Sequence, residues 1–360
     1  MGVYKIFPEK DASIYSEFPA KNTGLDQILE ASTYQSNGTA QASRYLVKFS
    51  TNEISSIYAD KIVDDSYKIY FKNYAAVVTG LNVDRTLEYF PISGSWGMGT
   101  GRYNDSPETT NGVGWVFSNY SGSSTWTSQG GDYHLTPKHT QSFTYSDTKD
   151  VNVDVTETVN LWYSHSVDSN NGIPNEGFIA KQPASTEFVN NINNNAIFRF
   201  FSIDTHTIYP PYLEFKYNDY TFDTGSSGFP MLTQVESFIS IYNNNGAYYK
   251  ESKPRFRFAV TPKYPDRQFL TSSLYNTNHY LPESNSLYAI KDTETNEFVI
   301  DFDNDYTKIS ADDTSSYFDL ECKGLEPERH YTVLVKTTIG GVTKVYDEDI
   351  RFKVINGWHK

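Results

Sequence analysis

A single cysteine, Cys322, stands in a chain of 360 residues, which excludes an intrachain disulfide framework. Basic residues are also scarce. Thirty Lys and Arg against 44 Asp and Glu leave a formal net charge of −14. Nucleic-acid binding needs clustered cations to displace counterions from phosphates. The densest basic run, Lys253-Pro-Arg-Phe-Arg257, alternates its arginines with Phe256 and Phe258, so it reads as the solvated face of a strand, with an anion site as the alternative. No apolar run reaches the length of a membrane span. The opening Met1-Gly-Val-Tyr-Lys-Ile-Phe-Pro8 has no signal-peptide core, and Ile6 stands where a myristoylation signal carries Ser or Thr. The expectation is a soluble chain made in a cytoplasm. Catalytic signatures are missing too: there is no Walker loop, no Gly-x-Ser-x-Gly elbow and no His-Glu-x-x-His. Gly97-Met-Gly-Thr-Gly101 follows no strand-to-helix unit, so it reads as a β loop rather than a phosphate cradle. The seven histidines are scattered, and His134 with His139 has no third metal ligand nearby. No acid/base pair can be named from sequence, and no enzyme is expected.

What the chain has is aromatic residues. Tyr (29) and Phe (23) carry most of a 16% aromatic fraction, while only 21% of residues are charged. The polar remainder is largely Asn, Ser, Thr and Gly. That mixture suits short strands joined by many turns, not long helices, and it is too aromatic for a disordered chain. Within residues 1–222 the patterns predict strands at 43–49, 66–78, 86–92, 151–155, 177–181, 196–202 and 212–217. After the alternating Val151, Val153 and Val155 the period changes. Val155, Val159 and Trp162 fall at i, i+4 and i+7, and Asp154 with Glu157 has capping-box spacing, so a short helix is expected at the strand end. Residues 93–148 are rich in Gly, Ser, Thr and Asn. A structureless loop of that length is unusual in a compact domain, so a strand is expected near 114–118. Thr224-Gly-Ser-Ser-Gly-Phe-Pro230 has the composition of a linker, which places the domain boundary at 223–230.

Residues 231–360 read as a second β unit. Phe256, Phe258 and Val260 alternate with Arg255, Arg257 and Ala259, and the Gly340-Gly341 pair predicts a hairpin turn. The Leu325-Glu-Pro-Glu-Arg-His-Tyr331 spacing resembles the tyrosine corner of fibronectin type III domains, which implies a phenol bonded back to upstream backbone. Residues 261–290, with Pro262, Pro265 and Pro282, match no sandwich strand and read as an insertion that meets a partner.

Three features invite a functional reading. Trp96, Trp115 and Trp126, with Tyr103, lie in the long polar segment. They either form an exposed platform for stacking sugar rings, with Trp126, Tyr103 and Trp96 as glycan contacts, or they cap the core, the commoner fate of an indole. Asp301, Asp303, Asp305 and Asp312 copy the spacing of a calcium loop, although Tyr306 stands where glycine is needed. The alternative there is a strand with its aspartates on the wet face and Phe302 inward. Cys322 keeps step with Phe318 and Leu320, which predicts a buried, inert thiol.

Four pieces occur in order: Asp154-Val-Thr-Glu-Thr-Val-Asn-Leu-Trp162, Asn175-Glu-Gly-Phe178, Phe200-Phe-Ser202 and Pro210-Pro-Tyr-Leu213. Upstream are Asp11-Ala-Ser-Ile-Tyr15, Ser43-Arg-Tyr-Leu-Val-Lys-Phe49, Ser95-Trp96, and Trp126 with Gly130-Gly131-Asp132. Together they resemble the DNRLRE-type jelly-roll modules over roughly residues 1–222. The resemblance implies an all-β chain: an N-terminal antiparallel jelly-roll β-sandwich, then an Ig/fibronectin III-like β-sandwich. Similar sandwiches often hold a structural calcium near one edge; no ligands are assigned, and no cofactor is expected otherwise. Nearly end to end, through Tyr4-Lys-Ile-Phe-Pro-Glu-Lys-Asp-Ala-Ser-Ile-Tyr-Ser16, Tyr209-Pro-Pro-Tyr-Leu-Glu-Phe215, Pro254-Arg-Phe-Arg-Phe258, residues 271–275, Asp301-Phe-Asp303 and Gly324-Leu-Glu-Pro-Glu-Arg329, the chain resembles virion structural proteins of contractile-tailed phages of marine cyanobacteria. That implies a non-enzymatic tail, baseplate or neck component, present in multiple copies, whose partners are other virion proteins and whose location is the virion. The alternative is a carbohydrate-binding module contacting host surface polysaccharide. A glycan lyase or hydrolase lacks a nameable acid/base pair.

Overall fold

Alternating apolar and polar residues produce strands through most of the chain. The computed structural model describes residues 2–242, 244–265 and 277–357. In chain order the first strands are β1 (Gly2–Ile6), β2 (Pro8–Tyr15), β3 (Ile28–Glu30), β4 (Thr33–Ser36) and β5 (Thr39–Phe49), followed by helix α1 (Thr51–Asp60). Next come β6 (Tyr67–Asn73), β7 (Ala75–Thr79), β8 (Arg85–Pro91), β9 (Phe117–Asn119), β10 (Ser124–Thr125), β11 (His139–Phe143) and β12 (Val151–Asp154). Helix α2 (Thr156–Val167), β13 (Phe178–Lys181), the single turn α3 (Ala184–Glu187), β14 (Ile197–Phe201) and β15 (Tyr212–Tyr217) follow. The remaining strands are β16 (Ser237–Tyr242), β17 (Ala247–Tyr249), β18 (Arg255–Pro262), β19 (Ser286–Asp292), β20 (Phe298–Ile300), β21 (Ser310–Ala311), β22 (Ser316–Asp319), β23 (His330–Ile339) and β24 (Val342–Ile355). The chain is predominantly strand, as its composition implies, and most of its described strand pairs are antiparallel, while β17 and β24 pair in parallel.

The chain divides into two compact units, one of Ile6–Asp60 and Lys68–Glu214, the other of Met1–Lys5, Lys61–Tyr67 and Phe215–Lys360. The division differs from the linker expected at 223–230. Leu232 and Tyr280 exchange backbone hydrogen bonds with each other's flanks (Leu232 N–H to Tyr280 C=O, Tyr280 N–H to Pro230 C=O), and the Tyr280 hydroxyl donates to Ser227 Oγ at 2.7 Å. The Gly-Ser stretch is therefore fastened along the smaller unit. Two short N-terminal segments join that unit as well, because Val3 packs in its core and Lys61 pairs with Glu321 at 2.7 Å.

In the larger unit the central sheet runs β11-β8-β13-β5-β2, with β4 also on β5; β3-β14-β7 form a second sheet, β12 pairs with β6, and β10 with β9. One face of the central sheet meets β6 and β14 through aromatic rings. Tyr45 meets Phe200 at 5.8 Å, Phe71 meets Tyr89 at 5.8 Å, and Phe143 meets Phe198 at 5.0 Å, in tilted or edge geometry, the arrangement that aromatic quadrupoles favour. The layering is β-sandwich-like. The helix expected after the 151–155 strand is α2, with Val159 and Trp162 buried. Asp154 accepts the Thr156 N–H at 3.0 Å, while Val155 occupies the cap position, so the carboxylate caps without the expected box. The predicted 66–78 strand is two strands, broken at Tyr74. The strand patterns do not predict helix α1; its signal is Ser50-Thr-Asn-Glu53, a capping-box spacing ahead of Ile54 and Ile57.

In the smaller unit the sheets are β16-β18-β22-β21 and β17-β24-β23-β19-β20. Their shared core contains Phe256, Phe258, Tyr288, Phe318 and Phe352, with Tyr288 stacked on Phe318 at 4.1 Å. β23 and β24 meet at Ile339 and Val342 around Gly340 and Gly341, whose φ angles of 58° and 82° form the predicted hairpin turn. Tyr331 donates to the Glu326 carbonyl at 2.9 Å, as the corner spacing implied. The supposed insertion at 261–290 contains the end of β18 and the start of β19; residues 266–276, and with them the 271–275 match, lie outside the described residues.

Candidate functional site

The long polar segment is not a set of free excursions. Asn22, fully buried, binds it. Its side-chain amide donates to the Met98 carbonyl at 2.7 Å and to the Val113 carbonyl at 3.0 Å, while its Oδ1 accepts from Gly101 N–H at 2.8 Å. The glycine run 97–101 exists for this contact. Gly99 has φ +76°, and a Cβ there would lie 2.3 Å from Asn22 Oδ1, so only glycine fits. With its spine fixed, the segment lays its tryptophans on the second face of the central sheet. Trp96, Trp115 and Trp126 join Ala12, Ile14, Ala42, Leu46, Phe90 and Ile179 in one apolar cluster.

This burial corrects the sugar-platform expectation for two of its three residues. Trp126 is 5% exposed and Trp96 4%. Each indole N–H is spent on backbone, Trp126 on the Gly114 carbonyl at 3.0 Å and Trp96 on the Glu176 carbonyl at 2.9 Å. An indole is large, and a sheet face left bare gains more from covering it than solvent does. The expected strand near 114–118 appears as β9. A buried ion cluster clips the segment down: Arg44 forms a two-pronged bond with Glu187 (2.8 and 2.7 Å) and donates to the Gly130 carbonyl at 2.7 Å, and Lys181 lies 3.2 Å from Glu187.

Tyr103 has a different fate. It is 38% exposed and lines a cleft of about 300 Å³ with Tyr15, Asp26, Ile28, Glu30, Asn104 and Arg199. The floor is the outer face of the β3-β14 pair, where register sets Glu30 opposite Arg199. Arg199 Nε donates to Glu30 Oε2 at 2.6 Å, and Ser43 Oγ donates to the other carboxylate oxygen at 3.0 Å. Tyr15 and Tyr103 form an aromatic wall, their centroids 5.0 Å apart. Tyr103 is held by its backbone N–H on Asp26 Oδ2 at 2.9 Å, and by Lys21, whose ammonium lies 4.6 Å from the ring centre. Burial, then the charges of Glu30 and Asp26, push the Tyr15 phenol well above its usual range. Burial, then Glu30 and Glu17, raise Tyr103. Both phenols are therefore neutral hydrogen-bonding groups at physiological pH. The cleft offers aromatic faces, two carboxylates, a guanidinium and an amide, which is chemistry for holding a small polar ligand.

The other sequence candidates disperse. In the 301–312 segment, Asp303 accepts from Lys216 at 2.8 Å and from the Asp305 N–H at 2.9 Å, while Asp312 takes both prongs of Arg257. Asp303 and Asp312 are consumed by cations and turn N–H groups. The calcium-loop reading and its strand alternative both give way to a turn after β20. His139 sits on β11 beside Thr158 at 2.7 Å, and among the described residues no three His, Cys, Asp or Glu side chains form a metal-holding group. Cys322 is buried, and burial raises its thiol to about 11.

In the smaller unit the outer face of β16-β18-β22 carries aromatic and arginine side chains. Phe238 and Tyr242 project from β16, 54% and 43% exposed. Register places Tyr242 beside Arg257, and Arg257 beside Tyr317. The Tyr317 ring lies 4.0 Å from the Arg255 guanidinium and 5.4 Å from that of Arg257. Arg255 bonds Asp319 through two N–H groups at 2.7 and 2.9 Å. The run at 253–257 is the solvated strand face its alternation suggested, each cation matched by a carboxylate. Among the described residues no helix is long and apolar enough to cross a membrane. No protein-family model matches the chain, and no curated protein proves similar to it.

Proposed function

We propose that this chain is a non-enzymatic structural protein of a phage particle, a component of its tail, baseplate or neck, acting through protein–protein contact. Its larger unit would be a jelly roll and its smaller unit a fibronectin III-like sandwich. The sequence resemblance supports the assignment to a virion, and the observation that carries the mode of action is the surface of Phe238, Tyr242, Arg255, Arg257 and Tyr317. Tyr and Arg are the residue types enriched where proteins dock. Here the arginines are pre-ordered by carboxylates and by Tyr317, so little side-chain entropy is lost on contact. Mass spectrometry of purified particles tests the assignment: the chain is expected in intact virions at multiple copies, and its absence from them defeats the proposal.

A second reading is favoured by one observation, the cleft walled by Tyr15 and Tyr103. In it the larger unit also holds a glycan of the host surface. A sugar ring would rest on Tyr103 while its hydroxyls bond Asp26, Glu30, Arg199 and Asn104, a division of labour common to polar-ligand pockets. Both Glu30 oxygens are already engaged by Arg199 and Ser43, which suits binding better than proton transfer. On a glycan array, Tyr103→Ala is expected to abolish any signal of the native chain while leaving its melting temperature within a few degrees. Undiminished binding by that variant removes the reading.

A further inference from the structure

Asparagine is among the chemically labile residues. It is most labile before glycine, whose nitrogen has no neighbouring Cβ to hinder attack on the Asn side chain. Five Asn-Gly pairs occur in the chain, at 37–38, 111–112, 171–172, 245–246 and 356–357, and the structure separates them. Asn111 is fastened at both ends of its amide: Oδ1 accepts the Thr100 N–H at 3.0 Å, and Nδ2 donates to Thr100 Oγ1 at 2.6 Å. Gly112 is packed so closely that a Cβ there would lie 2.5 Å from Gly99 Cα. Asn171 Nδ2 donates to Asp168 Oδ2 at 2.8 Å, and a Cβ on Gly172 would lie 2.1 Å from the Leu161 carbonyl oxygen. The Gly246 N–H is spent on Asn244 Oδ1 at 3.0 Å. Asn356 is exposed past the end of β24. Asn37 and Gly38 form the two-residue turn between β4 and β5, with φ of 50° and 76°, and Ser36 pairs with Thr39 across it. Positive φ at both central positions is the type I′ geometry. Both residues are exposed, and a Cβ on Gly38 would meet nothing within 4 Å. Among the described residues no hydrogen bond engages the Asn37 side chain or the Gly38 N–H. Asn190 Nδ2 donates to the Gly38 carbonyl at 2.9 Å, which holds that oxygen and not the nitrogen.

We propose that Asn37 is a site of spontaneous deamidation and isoaspartate formation, a one-way modification that loosens the β4-β5 hairpin. The first step is internal to the turn. The Gly38 nitrogen gives its proton to water and bonds to Asn37 Cγ; the Cγ–Nδ2 bond breaks, and Nδ2 leaves as ammonia with a proton from water. The product is a succinimide ring, whose nitrogen is bonded to both carbonyl carbons of residue 37. One water molecule then opens it. Cleavage at Cγ restores the main chain and leaves aspartate. Cleavage at the main-chain carbon leaves isoaspartate, whose backbone runs through Cβ and Cγ. Both products carry a carboxylate in place of an amide, a further negative charge on a chain already at −14. Isoaspartate also lengthens the main chain by one carbon, and a two-residue turn has no slack to absorb it. The Ser36–Thr39 pair is the first to yield. Behind it the Tyr34 and Ser36 hydroxyls both donate to Glu17, so the loosening reaches those bonds next. The inference rests on the turn alone and is independent of any role in a virion.

The test holds the full native chain in mildly alkaline buffer at physiological temperature for several weeks. Peptide mapping by mass spectrometry follows each pair, with fragmentation that tells isoaspartate from aspartate. Asn356 serves as the internal reference for an unhindered pair. Residue 37 is expected to convert within a few-fold of the rate at 356, and at least about tenfold faster than residues 111 and 171, which react only after local opening. In hydrogen exchange the isoaspartate fraction is expected to lose protection at the Ser36 and Thr39 amides. Asn37→Asp, which carries the product's charge on a main chain of native length, is expected to keep it. Gly38→Ala, whose methyl crowds the attacking nitrogen, is expected to slow conversion at 37 by at least about tenfold and to leave 356 unchanged. An intact amide at 37 once 356 has converted overturns the proposal, and so does conversion at 111 and 171 that keeps pace with 37. Native protection of Ser36 and Thr39 in the isoaspartate fraction overturns the loosening of the hairpin.

Discussion

At the scale of single residues, buried polar side chains organise more of this protein than its charges do. Asn22 answers two carbonyls and the Gly101 N–H inside the loop that carries Tyr103. Asn22→Ala leaves those groups buried and unpaired, so a loss of about 3 kcal/mol or more is expected in urea unfolding. Tyr331→Phe keeps the ring and removes only the bond to the Glu326 carbonyl. Chemical denaturation should show a smaller loss, about 1 kcal/mol. Asp312 gives a pH signature. Its hydrogen bonds from Arg257, opposed by desolvation and aided by the Thr314 and Ser315 N–H groups, hold it down to about 2. A depressed carboxylate stabilises the fold above its unfolded value of about 3.9, and that contribution is lost as pH falls through the folded value. Carboxyl-carbon NMR is expected to place the Asp312 midpoint near 2 in the native chain and distinctly higher in Arg257→Gln. The 301–312 aspartates looked like a calcium loop because their spacing is visible in sequence, whereas Lys216 and Arg257, which consume them, lie 87 and 55 residues away.

At the scale of elements, the segment after β8 is a cover for the central sheet, and its tryptophans are core. Trp126→Ala removes a buried indole, and a cost of about 3–5 kcal/mol is expected in thermal or urea unfolding. Arg44→Ala strands Glu187 at 3% side-chain exposure beside Lys181 alone, and about 3 kcal/mol of destabilisation is expected by the same measurement. Strand positions were legible because alternation is local: Tyr45, Val47 and Phe49 announce β5 without any knowledge of what they face. The cleft was legible only through Tyr103. Tyr15, Asp26, Glu30 and Arg199 carry no common motif, and they meet because β3 pairs with β14 in one register and Asn22 pins the 99–113 loop beside them. A one-residue slip of that register would turn Glu30 and Arg199 inward.

At the scale of the whole molecule, two β units draw on distant parts of the chain. Val3 belongs to the core of the unit whose strands come from residues beyond 215. Val3→Ala is therefore expected to lower protection of Phe256 and Phe318 amides in hydrogen exchange, where a boundary at 223–230 would predict no effect. The Gly-Ser stretch had the composition of a linker, but composition reports what a segment tolerates and not what it touches.

The sequence by itself determined the all-β class, the helix after Val155, the Gly340-Gly341 hairpin and the Tyr331 corner. Each follows from residues within a few positions of one another, where backbone preference and side-chain periodicity act directly. Only the tertiary structure decided that Trp96 and Trp126 are covered, that Asp303 and Asp312 are paired, and which residues enclose the cleft. Those outcomes depend on competition for buried area and for charge partners between segments far apart in the chain, and that competition is settled only when the sheets close.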